Sequence, residues 1–187
     1  MATKQKTPQS KLANLPENAK IEDITNALKE DHEVLRKFGK VLKSEDASLS
    51  EKKAAYKNFS SLLKSHAKSE EKAVYEKCLK VDDLEQEAEE GFVEHQIADT
   101  LMKKIETTHD KEKWQAMAKV LAEVVEHHAD EEEEELLPDV KKEFELDQRK
   151  EMTRQFLTLR EKSQKGVTEE NAGVLAQFEG QVPQKSM

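Results

Sequence analysis

The sequence predicts an all-α protein: an up-down-up-down antiparallel four-helix bundle with an extra C-terminal helix. Three observations carry that prediction. Glycine and proline are scarce, five and four in 187 residues, whereas a turn-rich β protein needs many of both. Hydrophobic residues make up 35% of the chain and charged residues 38%, the balance expected of helices with one buried stripe and solvated outer faces. Apolar residues recur at spacings of three and four through four successive segments divided by short polar breaks, and short connections between long helices make consecutive helices antiparallel.

The elements can be placed in chain order. Residues 1–20, "MATKQKTPQSKLANLPENAK", lack periodicity and read as a flexible tail. The bundle is expected over 21–138, with helices at about 21–44, 50–78, 82–108 and 112–137. The break "SEDASLSEKK" offers Ser48 or Ser50 as N-cap of the second helix. "KVDDLEQE" offers Asp82 or Asp83 to the third, "THDKEKW" offers Thr108 or Asp110 to the fourth, and Pro138 is expected to end it. A further amphipathic stretch at 139–163 carries Val140, Phe144, Phe156, Leu157 and Leu159. It reads as an additional helix, packed across the bundle end or used in association. Residues 164–187, with Val174, Leu175 and Phe178 between glycines, read as a second flexible tail.

Bulk chemistry narrows the partners. A formal charge of -9 argues against nucleic acid, which needs a basic face. No apolar run suits a secretory signal or a membrane span, so the chain reads as cytoplasmic with no membrane partner. Cys78 is the single cysteine, which excludes an internal disulfide and a thiolate zinc cluster. Any metal must be held by nitrogen and oxygen.

"HHADEEEEELLP", residues 127–138, is either a solvated acidic helix end or part of a metal site. At about 100° per residue, Trp114, Met117, Leu121 and Val124 share the face of His128, while His127 is turned to the side or to solvent. Glu132, one turn on, reaches the same face. The second segment repeats the pattern: His66 is followed by Glu70 and Glu71, and it shares a face with Ala55, Phe59, Leu62 and Ala73. His32 lies among Ile21, Leu28 and Leu35, and His95 among Leu84, Ala88, Gly91 and Met102. His32 to His66 spans 34 residues and His95 to His128 spans 33, so each half is a hairpin presenting one His, then His plus Glu.

Two carboxylates buried beside four imidazoles without a cation would cost several kcal/mol per group. A metal removes that cost. Nitrogen and oxygen donors without sulfur exclude copper-thiolate and zinc-finger chemistry, and inward Glu and His in a bundle are the usual setting of carboxylate-bridged di-iron or di-manganese centres. One metal would take His32 and His66, the other His95 and His128, with Glu70 and Glu132 bridging.

Over about residues 21–138 the chain resembles the hemerythrin-like, or HHE, cation-binding domain. The shared features are DH on the first helix, HxxxEE with a following tyrosine on the second, EH on the third, and HxxxEE with a following leucine and proline on the fourth. The resemblance implies a non-haem di-iron centre held by His32, His66, Glu70, His95, His128 and Glu132. It also implies an oxo or hydroxo bridge and O2, NO or peroxide as the small ligand. Oxygen-carrying hemerythrins place a second histidine four residues on in the third helix, where this chain has Asp99, and an aspartate where it has Glu132. Glu76 stands where many members have proline. Seven protein ligands become six unless Asp99 joins, and each ligand not supplied is a position open to a small molecule.

The expected function is storage, transport or sensing of oxygen or a related ligand. The alternatives are an enzyme acting on peroxide or nitric oxide, an iron-centre repair or stress-response protein, and a metal-stabilised interaction scaffold. Tyr75 and Tyr56 are expected to be packing residues with edge hydroxyls, although either could be redox-active near two irons. Cys78 is expected to be inert and His109 a loop residue. The oligomeric state stays open.

Overall fold

The computed structural model describes residues 22–164, which are mostly helical and include no strand. Helix α1 runs Ile24–Lys43 and α2 Leu49–Glu70. A π-helical turn at Glu71–Tyr75 and the short α3 at Glu76–Cys78 extend α2. A 3-10 turn at Asp82–Leu84 leads into α4, Glu85–Glu106. Helix α5 runs Lys111–Glu131 and continues through a second π-helical turn, Glu132–Leu136, into α6, Leu137–Glu143. Helix α7 covers Leu146–Gln164. Ile21, the expected tail 1–20 and residues 165–187 lie outside the described residues.

Local chemistry accounts for the helix starts. Asp23 caps α1 by accepting from Thr25 N, Ser48 and Glu51 form a reciprocal capping box on α2, and Asp110 accepts from Lys113 N at the start of α5. Two expectations need correction. Asp82 and Asp83 do not cap α4; they lie in the 3-10 turn, and α4 starts after Leu84 with no side-chain cap. Nor does Pro138 end the fourth helix. The bonding changes register ahead of it, with Leu137 N–H bonding to Glu132 O, and Pro138 sits in the first turn of α6, where its missing N–H costs little. The chain turns instead at Phe144, whose backbone is extended.

Helix α1 packs between α2 and α5, α4 packs on α5 and on the π turn after α2, and α7 lies against α2 and α1. Two apolar clusters fill the interior. Leu35, Phe38, Phe59, Met102, Trp114 and Leu121 belong to one. Ile24, Leu28, Tyr75, Leu84, Leu137 and Phe156 belong to the other. Along each helix the inward histidine falls between residues of the two clusters, so a polar layer crosses the bundle between two dry regions. Such a layer is stable only if its groups satisfy one another or a bound ion.

Candidate metal centre

The polar layer brings the six predicted residues together. His32 comes from α1, His66 and Glu70 from α2, His95 from α4, His128 from α5 and Glu132 from the π turn next to it; none is more than 6% exposed. Donor atoms of His32, His66, Glu70 and Glu132 all lie within 4.8 Å of one another, as do those of Glu70, His95 and His128. Glu70 is common to both groups. His127, placed outward by the helical step, has a 68% exposed side chain.

Each imidazole is oriented by a carboxylate from the next helix round the bundle. His66 Nδ1 lies 3.2 Å from Asp31 of α1, and His95 Nδ1 lies 3.1 Å from Glu71 after α2. His128 Nδ1 is 2.6 Å from Glu94 of α4, and His32 Nδ1 is 3.0 Å from Glu133 after α5. The four pairs close a ring. A carboxylate at Nδ1 fixes the proton there and aims the Nε2 lone pair inward, the arrangement found behind metal-bound histidines. Sequence reasoning missed these four acids because period and spacing say which face a residue occupies, not what stands opposite. A signal was present: Asp31 and Glu94 each precede an inward histidine, and Glu71 and Glu133 each come directly after an inward glutamate.

The two π turns begin beside Glu70 and at Glu132. Insertion of a π turn rotates the succeeding residues relative to a regular α-helix, and such turns are common at functional sites. Here each lies where one helix must supply two consecutive acids, one directed into the layer and one directed to a neighbour's histidine.

The residues present fit a metal. His32 Nε2, His66 Nε2, Glu70 Oε1 and Glu132 Oε2 are buried without hydrogen-bond partners. His66 Nε2 is 3.2 Å and His95 Nε2 3.6 Å from Glu70 Oε2, His32 Nε2 is 3.3 Å from Glu132 Oε2, and the Nε2 atoms of His95 and His128 are 3.2 Å apart. Donors about 2.1 Å from one ion are separated by roughly 3.0 Å at right angles and 3.4 Å in a tetrahedron. Orphaned atoms at ligand spacing are what a cation would satisfy.

The electrostatics agree. Burial pushes the His66 imidazole down, but the carboxylates of Glu70 and Asp31 outweigh it and raise its pKa to about 10. Burial likewise opposes, and neighbouring glutamates overcome, at His32 and His128, which are both raised. Glu132 is held well below the usual carboxylate range because His32, His128 and His66 outweigh its burial. The pocket demands positive charge, and protons take the place of a cation when none is bound.

Tyr75 is a member of the polar layer rather than an edge residue. It is fully buried, with its hydroxyl 3.4 Å from Glu70 Oε2 and 3.3 Å from Glu132 Oε1, and its ring is stacked on His95. Burial and then the two carboxylates push its pKa well above 10, so it stays a neutral donor. Gly91 makes room for it: a Cβ there would meet the Tyr75 ring at 2.7 Å. Tyr56 matches the packing expectation, donating to Met102 O beside Trp114. Cys78 is buried, and burial pushes its thiol to about 12, which leaves no thiolate.

The hemerythrin HHE cation binding domain matches residues 23–140, more than half of the chain. This chain belongs to the hemerythrin HHE cation-binding family. No curated protein and no solved structure gives a significant match. Within this hemerythrin-like domain, Asp99 is turned from the centre, its carboxylate 2.6 Å from Lys103 and half exposed. It does not replace the second α4 histidine of the oxygen carriers. Glu76 pairs with Lys72 at the surface. Helix α7 lies beyond the matched residues, yet Phe156 packs edge-on against His66 and Arg160 pairs with Asp31, so it helps enclose the hemerythrin-like centre.

Proposed function

We propose that this chain is a non-haem di-iron carboxylate protein that binds oxygen or a related small ligand, NO or peroxide, for storage, transport or sensing. The observation that carries the reading is the ring of four carboxylate-oriented imidazoles whose Nε2 atoms converge on two buried carboxylates. His32 and His66 would hold one iron and His95 and His128 the other, with Glu70 and Glu132 bridging. The up-down-up-down order of the four long helices belongs to the same proposal, since the ring passes from helix to helix in chain order.

Two irons held there would supply redox-active positions open to a small ligand. The chain's own residues set the conditions. Asp31, Glu71, Glu94 and Glu133 keep the imidazoles in the ligating tautomer. Phe59, Leu62 and Leu121 exclude water on one side, and Phe156 covers His66. Tyr75 holds a hydroxyl proton between the two glutamates and stiffens them. With six protein ligands where the oxygen carriers have seven, the centre leaves more room for an exogenous ligand.

Elemental analysis of protein purified without chelators, read with visible spectra before and after reduction and air exposure, tests this. About two irons per chain, with bands that fade on reduction and return in air, are the expected result. No redox metal after anaerobic reconstitution with ferrous iron would sink the proposal.

A further inference from the structure

The two halves of the centre face different electrostatic surroundings. On the His32 and His66 side, Arg36 lies 2.8 Å from Glu133 and Arg160 2.7 Å from Asp31. On the other side a cavity of about 50 Å³ lies between α4 and the end of α5, room for a few waters. Its floor includes His128 and Glu132 of the buried centre. Its walls carry Glu87, Glu90, Glu94, Glu131 and Glu135, and no lysine or arginine among the described residues lines it.

Two observations make this more than an acidic patch. Glu132, 5% exposed, lines the cavity and leads from it into the buried centre, where its Oε2 lies 3.3 Å from His32 Nε2 and has no hydrogen-bond partner among the described residues. Beside the cavity, Glu94, His127 and Glu131 present donor atoms within 4.8 Å of one another. One imidazole and two carboxylates suit a divalent cation of the iron, cobalt or manganese kind. Glu94 joins the two places, because its Oε2 already orients His128. An ion leaving the outer cluster therefore has a carboxylate beside it that also touches the inner one.

We propose that Glu94, His127 and Glu131 form an outer divalent-cation site that captures the metal and passes it along the acidic cavity to His128 and Glu132. This rests on the metal-centre reading above and adds the direction of loading. The His95 and His128 half fills through the cavity, while on the other half Arg36 and Arg160 already hold the carboxylates of Glu133 and Asp31. His127, an exposed neighbour of a ligand, then has a role of its own.

The test is Co²⁺ uptake by the full-length, metal-free chain, followed by stopped-flow absorbance and by equilibrium titration. His127→Ala with Glu131→Gln is compared with wild type and with His109→Ala plus Glu134→Gln, a control making the same change in composition at exposed positions off the cavity. The first pair should reach the same final content of tightly bound metal about tenfold more slowly, at the lower end of electrostatic steering, and should lose a weaker binding step. The control pair should load like wild type. Equal rates and equal site numbers in all three proteins overturn the outer site alone, and uptake slowed equally in both variants reduces it to net charge. Failure of the wild type to take up Co²⁺ overturns this inference and the metal-centre reading together.

Discussion

Arg160 Nη2 lies 2.7 Å from Asp31 Oδ1, and the other oxygen of that carboxylate is 3.2 Å from His66 Nδ1. A residue of α7, outside the family match, thus fixes the acid that fixes an inward histidine. Asp31 is 1% exposed, so its pairing is not shared with bulk water. Arg160→Met keeps the apolar stem and removes the guanidinium. It should weaken retention of one metal about tenfold or more, the scale of outer-shell losses. Metal remaining after dialysis against graded chelator concentrations measures it, and retention equal to wild type would show that α7 only packs.

Metal binding should weaken as pH falls. In the metal-free protein His66 binds its proton up to about pH 10, against 6.5 for the unfolded chain. Its ionic contribution to metal-free stability is complete below 6.5 and lost as pH rises through about 10. A metal at Nε2 must displace that proton, so affinity should fall about tenfold per pH unit for each proton displaced, from pH 10 downward. Glu133, lowered to about 2 chiefly by its hydrogen bond with His32, acts with the opposite sign: its contribution is present above 4.5 and lost as pH falls through about 2. Co²⁺ titrations at pH 6, 7 and 8 against a chelator of known proton affinity decide the matter, and a flat profile would count against proton displacement.

Gly91→Ala should disturb the centre from a position that touches no proposed ligand in sequence. The new Cβ would meet three atoms of the Tyr75 side chain at 2.7–2.8 Å, and its ring is pinned between Phe92 and His95. Overpacking of this kind costs about 1–3 kcal/mol. The shift should carry the hydroxyl away from Glu70 and Glu132, so visible bands of the metal-loaded protein should move as the melting temperature drops. Tyr75→Phe separates the two effects, altering the bands with a smaller loss of stability. Unchanged bands in both variants would make Tyr75 a packing residue alone.

The helices and the inward histidines were legible because burial of one face imposes a 3.6-residue period on the chain, and His32, His66, His95 and His128 all sit on that period. The features that were not legible depend on register between helices or within them. The four orienting acids are ordinary charged residues until a neighbouring helix sets a histidine against each. The π turns after Glu70 and at Glu132 leave composition unchanged, and the second carries the helix past Pro138, a residue that sequence logic reads as a stop. The 3-10 turn at Asp82–Leu84 displaces the two expected caps in the same way.

Replacing Glu70 and Glu132 together by Gln should separate folding from metal binding. Both side chains are buried among imidazoles, and in the metal-free protein Glu132 stays ionised because the protons on His32, His128 and His66 outweigh its burial. Gln keeps the volume and removes the charge, so the need for those protons goes with it and the helices are retained. Most of the ability to hold cations goes too, because amides neither bridge nor neutralise them. Wild type should gain about 4 kcal/mol when free metal reaches roughly a thousand times its dissociation constant, and the double variant, left with the imidazoles and the outer site alone, should gain far less at the same concentration. Thermal unfolding with and without Co²⁺, beside far-UV circular dichroism at about 25 °C, gives both readings. A variant that keeps its helicity and still shows the full metal-dependent rise would place the cation elsewhere; one that loses its helicity would make the two carboxylates structural in their own right.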